Sequence, residues 1–473
     1  MSRVIVAGAG RTGVALAQAL KGRGDQVMVV VDAPLPAHAA AELFEVGISS
    51  ILTVEALKEI SSFDGIYASP GWRLDHPLFA AASAAGVKVI GEVDFAWEMA
   101  LERAKIREVP APIWLTVTGT NGKTTTTEML QSILVADGRK SIACGNVGYP
   151  LISAVLDETD YEVLAVEISS FQSARMENAR PRAAVLLNIA EDHLDWHGDL
   201  GEYSKAKISL LAAADISICN GDDQLTNSML ALAHFTPQIR FTLDSPRRGE
   251  VGVVEDLLVD RAFVSDPDHA ALSLAELSDI RPFAAHNVQN ALAAAALARS
   301  IGVSEDSIKA GLKTFSPGAH RIAEIADDDG VKWVNDSKAT NPHAAMSSLK
   351  TFENIIWIAG GLLKGASVEQ LIVECGKRIK VALLIGQDRD QISHLLEQHA
   401  PHVIVEFITA DDDPTPTERG KQLMLNVVAR ARQLAESGDT VLLAPACASM
   451  DQFLSYAERG NYFSDAVHGG KHA

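Results

Sequence analysis

A glycine-containing turn in the segment Trp114–Met129 has the residue types needed to bind a phosphate chain; it reads WLTVTGTNGKTTTTEM. Gly119 and Gly122 would let backbone N–H groups approach phosphate oxygens, and Lys123 would place a positive charge beside the β- and γ-phosphates. Thr124 offers a hydroxyl to Mg²⁺, and the helix that follows points its positive end at the anion. The order of apolar run, turn, GKT and helix predicts an ATP-binding loop.

A carboxylate and a histidine follow two further strand-like runs. Glu167 comes at the end of one run, where a carboxylate at the carboxyl end of a buried strand can reach the Mg²⁺ held by Thr124. The next run, Ala184–Ile189, should deliver Asn188, Asp192 and His193 to the same edge of the sheet. We predict Glu167 and His193 as metal ligands. The alternatives are a solvated glutamate at a strand end and a surface or satisfied core histidine.

The N-terminus carries a second turn suited to an anion, G-A-G-R-T-G at residues 8–13. It follows a strand-like run and opens a helix, and Asp32 ends the next strand-like run. Taken alone, this pattern is a dinucleotide-binding fingerprint and would indicate NAD(P). The glycine turn requires only a diphosphate, however, and the chain already has an ATP loop. A UDP-linked substrate satisfies the turn equally, and we expect Gly10, Arg11, Thr12 and Asp32 to bind it.

Short apolar runs alternate with Ala-rich, helix-permissive segments, which predicts parallel α/β sheets. A charged, proline-containing stretch at Glu102–Pro112 and a break at Phe315–Gly318 divide the 473 residues into three units. We predict a Rossmann-like N-terminal domain (1–92), a central P-loop ATPase domain with a parallel sheet (93–317) and a Rossmann-like C-terminal domain (318–473). An Ala-rich helix is expected at Asn287–Ser300, whereas Thr236–Ser278 has no clear pattern. The predicted strands are Val4–Ala7, Val27–Val31, Ile66–Ser69, Val87–Ile90, Ile113–Thr118, Val163–Ile168, Ala184–Ile189, Ile216–Cys219, Trp333–Val334, Ile355–Ala359, Val381–Ile385 and Val441–Ala444.

The amino-acid composition limits the kinds of partner that the chain is expected to bind. The net charge of −20 argues against a surface for nucleic acid or anionic membranes. The four cysteines show neither a C-x-x-C pair nor zinc spacing, which favours reduced thiols. The N-terminus has no signal-peptide pattern, and no stretch is long and apolar enough to span a bilayer. We therefore expect a cytoplasmic monomer that acts on small molecules and binds neither nucleic acid nor membrane.

The loop at Gly119 departs from the general P-loop pattern, since Val117 stands where the first glycine is usual. Its run T-G-T-N-G-K-T resembles the variant loop of the Mur ligase superfamily, the ATP-dependent amide ligases of cell-wall and folate metabolism. Further pieces resembling that family span about residues 4 to 464. They are G-N-V-G at Gly145–Gly148, S-S-F-Q at Ser169–Gln172, His286-Asn287, His320-Arg321, N-D-S-K-A-T at Asn335–Thr340, G-G-L-L-K at Gly360–Lys364, LLAPACASMDQF at Leu442–Phe453, and Glu458-Arg459-Gly460.

The resemblance implies roles for individual residues. In these ligases the lysine that ends Y-x-x-x-K is carbamylated by CO₂ and binds a second Mg²⁺. Tyr203–Lys207 matches that spacing, so Lys207 is our choice, with Lys205 second. The implied catalytic residues are Lys123, Glu167, His193, Lys207 and Lys338, and the implied metal ligands are Thr124, Glu167, His193 and Lys207. The implied nucleotide-binding residues are Gly119, Thr120, Asn121, Gly122, Lys123, Thr124, Thr125, Asn287, Arg321 and Asp336. The implied substrate-binding residues beyond the N-terminal turn are Asn146, Ser169, Thr340, Lys364, Ser449 and Tyr456.

The activity implied by the resemblance is ATP-dependent addition of D-glutamate to UDP-N-acetylmuramoyl-L-alanine through an acyl phosphate, a step of peptidoglycan precursor synthesis. It implies ATP, two Mg²⁺ ions and the carbamate on Lys207 as cofactors, and a third domain that closes over ATP. Another ligase of the superfamily with a different amino acid acceptor is the nearest alternative. A nicotinamide-dependent oxidoreductase and a P-loop regulatory or motor protein are the alternatives from other classes.

Overall fold

The computed structural model describes residues 1–35, 37–316, 318–410 and 416–469. The predicted domain boundary at Pro317 and the last four residues of the predicted third domain lie outside those residues. The chain forms two compact units. The first consists of Met1–Ile189 and Asp199–Phe315, and the second of Ala190–Gly198 and Ser316–Ala473.

The N-terminal part of the first unit alternates strands with helices. The elements are β1 (Arg3–Ala7), α1 (Arg11–Gly22), β2 (Gln26–Val31), α2 (Ala37–Glu45), β3 (Ser49–Leu52), α3 (Thr53–Ala56), a 3₁₀ helix (Leu57–Ser62), β4 (Gly65–Ala68), α4 (Pro77–Ala84), β5 (Lys88–Gly91) and α5 (Glu92–Arg107). Within the described residues the strands form one parallel sheet in the order β3-β2-β1-β4-β5. This doubly wound order reverses direction between β1 and β4, so the Gly8–Gly13 turn after β1 lies at the switch point where such folds bind ligands.

The remainder of the first unit is built around a larger sheet. Its elements are β6 (Ile113–Thr118), α6 (Lys123–Ala136), β7 (Ser141–Gly145), α7 (Leu151–Leu156), β8 (Val163–Glu167), α8 (Ser170–Ser173), β9 (Ala183–Leu186), α9 (Leu194–His197), α10 (Leu200–Ala213), β10 (Ile216–Asn220), α11 (Gln224–Leu232), β11 (Ile239–Phe241), β12 (Glu250–Val254), β13 (Leu257–Asp260), β14 (Leu272–Glu276), a 3₁₀ helix (Leu277–Asp279), α12 (Ala285–Arg299) and α13 (Glu305–Thr314). Of these, α9 groups with the second unit.

The sheet order among the described residues is β14-β13-β12-β11-β10-β9-β6-β8-β7. It is parallel except at the β12–β13 and β13–β14 pairs, which are antiparallel. The P-loop strand β6 lies between β9 and β8, so the loops after all three strands share one edge. The helix α12 is buried along most of its length, as its nearly continuous alanine and leucine content predicts.

The second unit contains a third α/β sheet. Its elements are β15 (Ala323–Asp328), β16 (Val331–Asn335), α14 (Pro342–Leu349), β17 (Ile355–Gly360), α15 (Glu369–Cys375), a 3₁₀ helix (Gly376–Arg378), β18 (Ile379–Ile385), α16 (Arg389–His399), β19 (Ile404–Phe407), α17 (Pro416–Leu434), β20 (Thr440–Leu443) and α18 (Tyr456–Gly469). Across the described residues the order is β15-β16-β20-β17-β18-β19, and only β15–β16 pairs antiparallel.

The predicted α/β class with three mostly parallel sheets is confirmed. The predicted strands are present, with ends that differ by a few residues; Ser69, for example, follows β4 rather than ending it. The region Thr236–Ser278, which the sequence left unassigned, forms the four short strands β11–β14 at the edge of the second sheet. All four cysteines are buried and free.

Candidate functional site

The P-loop backbone has the conformation that its glycines allow. Gly119 and Gly122 have φ values of +152° and +83°, where side chains are strained. A Cβ at Gly122 would also collide with the side chain of Asn290. The Lys123 ammonium donates to the carbonyls of Gly119 and Thr120 at 2.8 Å each, so it lies folded over the loop that would hold the phosphates. The loop and the start of α6 therefore form an anion cradle.

Two asparagines support this loop: Asn188, which the sequence places at this edge of the sheet without a role, and Asn290, which the sequence does not single out. Asn188 accepts from the Asn121 backbone N–H at 2.8 Å and donates to the Asn121 carbonyl at 3.1 Å. Asn290 in α12 accepts from the Thr126 hydroxyl at 3.2 Å and donates to Asn287 at 3.3 Å. The Asn287 amide donates to the Pro282 carbonyl at 3.0 Å, and the Asn290–Thr126 contact ties this predicted nucleotide-binding turn to α6.

Glu167 is placed as a metal-binding carboxylate would be. It ends β8, opposite Val117 of the P-loop strand, and is buried. Asn146 donates to its Oε1 at 2.9 Å, whereas its Oε2 is buried with no hydrogen-bond partner among the described residues. A buried carboxylate oxygen without a donor is costly unless a cation or water meets it. Asn146, predicted to contact the sugar, is seen to orient Glu167.

Lys207 and Tyr203 approach the same loop from α10. The Lys207 ammonium is almost fully buried and donates to the Gly119 carbonyl at 2.8 Å. The Tyr203 hydroxyl lies 2.8 Å from the Thr120 hydroxyl, and its ring lies beneath the Lys207 ammonium. Lys205, the second choice, is exposed and pairs with Glu202 at 3.3 Å. Of the two lysines, Lys207 therefore contacts the P-loop, whereas Lys205 faces solvent.

These positions suit a magnesium-nucleotide site. Mg²⁺ in such sites is held by one or two carboxylates, hydroxyls and substrate phosphates. Thr124, beside Lys123 at the start of α6, and Glu167 supply the hydroxyl and the carboxylate. Among the described residues, no cluster of three or more His, Cys, Asp and Glu side chains is close enough to hold a metal. The metal roles of Thr124, Glu167, His193 and Lys207 stay predictions.

The N-terminal glycine turn has the expected form. Gly10 caps α1, and Arg11, its first residue, donates to the Gly148 carbonyl at 2.9 Å. Gly13 packs so tightly on the carbonyl of Gly8 that a Cβ would collide with it. Thr12 follows in the first turn of α1, and Asp32 lies just past β2. The turn thus leaves the N-terminus of α1 facing the switch point of its sheet.

Ser169 lies two residues after Glu167, the last residue of β8, and caps α8. Its hydroxyl accepts from the Gln172 N–H at 3.2 Å, and the Gln172 side chain accepts from the Ser169 N–H at 2.7 Å. This capping box fixes the turn that follows Glu167. The Gln172 amide also donates to the buried carboxyl of Glu92 in α5.

In the second unit, a cavity of about 440 Å³ brings three predicted residues together. His193, Thr340 and Lys364 line it, alongside the acidic residues Glu191, Asp192 and Asp195. Both His193 and Lys364 have left-handed backbones, with φ near +54° and +53°. The cavity therefore offers a cation, a hydroxyl and an imidazole to a small polar ligand.

The other predicted residues of the second unit surround the carboxyl ends of β16 and β20. Asp336 accepts from the Ile322 N–H at 3.3 Å and from the Ser348 hydroxyl, and burial raises its pKa to about 7. Lys338 lies over the Tyr456 ring with its ammonium 4.1 Å from the centroid. Arg321 lies in the segment just before β15, and Ser449 is buried in the turn after β20.

Comparison with known families covers most of these elements. A model of the Mur ligase middle domain matches residues 117–298, one of the Mur ligase glutamate ligase domain matches 320–447, and one of the MurD-like N-terminal domain of Mur ligases matches 2–91. The chain therefore belongs to the Mur ligase family, as the sequence motifs predict. No described helix has the length and apolar character that crossing a membrane requires.

Curated relatives narrow the similarity further. The chain is 47% identical to UDP-N-acetylmuramoylalanine–D-glutamate ligase of Thermobifida fusca, over 98% of each chain. It is 42% identical to the protein of the same name in Mycolicibacterium smegmatis, over 98% of this chain and 96% of the relative. Among solved structures, UDP-N-acetylmuramate–alanine ligase MurC from Thermotoga maritima aligns over 99% of this chain and 100% of that one, with a TM-score of 0.58 and 17% identity. At 17% identity this match shows a shared fold and nothing about function.

Proposed function

We propose that this chain is an ATP-dependent ligase that joins D-glutamate to UDP-N-acetylmuramoyl-L-alanine. The observation that carries the proposal is the convergence of Lys123, Glu167 and Lys207 on one loop. Both lysines donate to the Gly119 carbonyl, and Glu167 ends the strand that pairs with β6. Relatives of nearly the same length, 42–47% identical, bear the name of that activity.

Nucleotide binding follows from the loop geometry. The backbone N–H groups of Gly119–Thr125 and the Lys123 ammonium would hold the phosphates, and Asn287 the base. Thr124 and Glu167 would hold one Mg²⁺, and His193 with carbamylated Lys207 a second. When bound, the two ions supply positive charge that offsets the charge developing on the transferred phosphoryl group. Arg321 and Asp336 would serve the nucleotide from the second unit.

The reaction has two steps. The alanine carboxylate of the UDP-sugar attacks the γ-phosphorus, the bond to the β-phosphate oxygen breaks, and ADP leaves. The amine of D-glutamate then attacks the carbonyl carbon of the acyl phosphate, and inorganic phosphate leaves as the amide forms. Lys123 stabilises the transferred phosphoryl group, and Lys338 would neutralise the acyl phosphate. Asn146 and Ser169, both next to Glu167, would position the sugar substrate.

The acceptor site lies in the second unit. D-Glutamate carries two carboxylates, so its site needs cations and hydroxyl donors. Lys364 and Thr340 supply them in the 440 Å³ cavity. Ser449 would hydrogen-bond a carboxylate, and the Tyr456 ring would cover the methylene groups. This set accepts an amino acid with an anionic side chain.

We further propose domain boundaries at 1–92, 93–317 and 318–473, and a monomer that works in the cytoplasm, where ATP and UDP-sugars are made. The N-terminal turn, with Gly10, Arg11, Thr12 and Asp32, would bind the diphosphate and uridine of the substrate.

Phosphate release tests the proposal directly. The purified chain is assayed with ATP, Mg²⁺, UDP-N-acetylmuramoyl-L-alanine and a panel of amino acids. We expect release that depends on D-glutamate and is much slower with L-glutamate, because inversion moves the amine away from the acyl phosphate while both carboxylates stay anchored. Equal turnover with L-glutamate or L-alanine would point to another ligase of the family. Tight NAD(P) binding without UDP-sugar binding would contradict the role of the N-terminal turn.

A further inference from the structure

Two contacts of His76 fix both the orientation and the tautomer of its ring. His76 is the N-cap of α4, and its Nδ1 accepts from the Leu78 backbone N–H at 3.2 Å. An acceptor nitrogen carries no proton, so the neutral ring carries its proton on Nε2. That Nε2 lies 3.2 Å from Oδ1 of Asp32, a close polar contact. The cap of a helix thus selects the tautomer that can hold Asp32.

Asp32 is oriented through one of its two oxygens. Its Oδ1 accepts from the Thr53 hydroxyl at 2.6 Å and lies 3.2 Å from Nε2 of His76. Its Oδ2 has no hydrogen-bond partner among the described residues, and the side chain is 61% exposed. One hydrogen bond and one close imidazole contact meet on the same oxygen, which restricts the carboxylate and leaves Oδ2 to accept a hydrogen bond from a ligand.

The loop that carries His76 is held by an arginine from the region of the second sheet. Arg175 donates through Nη2 to the carbonyls of Trp72 at 2.8 Å and Arg73 at 3.0 Å. Its guanidinium lies 4.1 Å from the centroid of the Phe79 ring. Trp72 and Phe79 pack edge-on against the His76 ring, with centroid distances of 4.4 and 5.9 Å.

Arg175 has no carboxylate partner among the described residues. Burial lowers its pKa to about 10, so it stays charged near neutral pH. Its charge is met by two backbone carbonyls and an aromatic face, all of which belong to the His76 loop or the adjoining helix. A cation held this way has a positioning role that a surface ion pair would not provide.

We propose that His76 and Arg175 are positioning residues that aim Oδ2 of Asp32 at a hydrogen-bond donor of the uridine group, either its imide N–H or a ribose hydroxyl. The inference rests on the proposed UDP-linked substrate and deepens it. Recognition of the uridine group at the N-terminal sheet would then depend on Arg175, which comes from the neighbouring part of the same unit.

The test uses uridine 5′-monophosphate, so that binding is measured without ATP or catalysis. His76→Asn keeps an N-cap acceptor for α4 but is too short to reach Asp32 in the same way. By calorimetry we expect about fivefold to twentyfold weaker binding for His76→Asn, because Asp32 loses a polar contact that restricts its carboxylate. Asp75→Asn, an exposed neighbour that pairs with Arg73, is the control and should bind like the wild type.

A double-mutant cycle separates positioning from general damage. In an Asp32→Ala background, His76→Asn should weaken binding by less than about twofold, because its target is gone. Arg175→Ala should behave in the same way, with exposed Arg180→Ala as its control. In the full reaction the KM for the UDP-sugar should rise, with the KM values for ATP and D-glutamate unchanged.

Several results would overturn the inference. These are wild-type affinity in His76→Asn, effects that add fully to those of Asp32→Ala, equal rises in every KM, or no binding of the nucleotide by the wild-type chain. The coupling and the proposed reaction can also fail separately. Coupled loss of nucleotide binding in a chain that releases no phosphate with any amino acid would support the inference and refute the ligase proposal.

Discussion

Glu92 provides a direct test of how burial affects a carboxyl group in this fold. It is the first residue of α5, is only 5% exposed, and accepts from the Gln172 side chain. Burial raises its pKa from 4.5 to about 7. At about 1.36 kcal/mol for each unit of pKa, that rise corresponds to about 3.4 kcal/mol. The positive end of α5 favours the ionised form by at most ~2 kcal/mol, so the burial effect is the larger.

The sign of the pH dependence follows from the two states. Below pH 4.5 the carboxyl is protonated in both folded and unfolded chains and has no effect. Between pH 4.5 and about 7 the unfolded chain loses the proton while the folded chain keeps it, so the free energy of unfolding falls. Above about pH 7 the carboxyl is ionised in both states, and the free energy of unfolding falls no further. Glu92→Gln removes this titration but keeps an oxygen for the Gln172 amide.

We therefore expect the stability advantage of Glu92→Gln over the wild type to grow by about 2 kcal/mol between about pH 5 and about pH 8. Urea unfolding followed by circular dichroism at both pH values measures it. Glu98→Gln, an exposed position on the same helix, controls for the loss of a charge. An advantage that does not change with pH would refute the burial argument. A variant less stable at both pH values would mean that the helix end needs the negative charge.

Three substitutions test the proposed chemistry. Lys207→Ala should nearly abolish turnover, and a short-chain carboxylic acid that replaces the carbamate should partly restore it. Lys205→Ala, at an exposed position, is the control and should keep activity. Wild-type turnover in Lys207→Ala would exclude the metal role. Lys364→Ala should raise the KM for D-glutamate roughly tenfold to a hundredfold, the loss of a charged hydrogen bond, and leave the KM for ATP nearly unchanged; an equal rise in both would contradict the acceptor role. Glu167→Gln should raise the Mg²⁺ concentration for half-maximal activity by about tenfold or more, and an unchanged requirement would remove Glu167 as a ligand.

The sequence predicts those parts of the fold whose signal is local. Strands such as β6 and β17 are buried, mostly apolar runs, because both faces of a parallel sheet are covered. The antiparallel strands β12–β14 were not predicted, because they are short, partly exposed and interrupted by charged turns. Their pairing is specified by contacts across the edge of the sheet, which a pattern along the chain does not reveal.

The same distinction applies to the site. The loop glycines and Lys123 are recognisable because the spacing itself carries the chemistry. Asn188 and Asn290 support that loop from 67 and 164 residues away, and no local motif marks an asparagine for such a role. His76 is a further case, since its function depends on which nitrogen caps α4. Supporting residues of this kind become visible only when the tertiary contacts are known.

The motif at Glu458–Gly460 shows why a family match does not by itself identify a reacting group. Arg459 is fully buried and donates to the Ser337 hydroxyl at 3.0 Å, the Ser337 carbonyl at 2.9 Å and the Cys447 carbonyl at 3.2 Å. Burial lowers its pKa to about 10, so it remains charged near neutral pH. A Cβ at Gly460 would collide with the ring of His320. These contacts join the loops after β16 and β20 to α18, so the motif holds the predicted binding residues of the second unit in place without offering a group to the substrate.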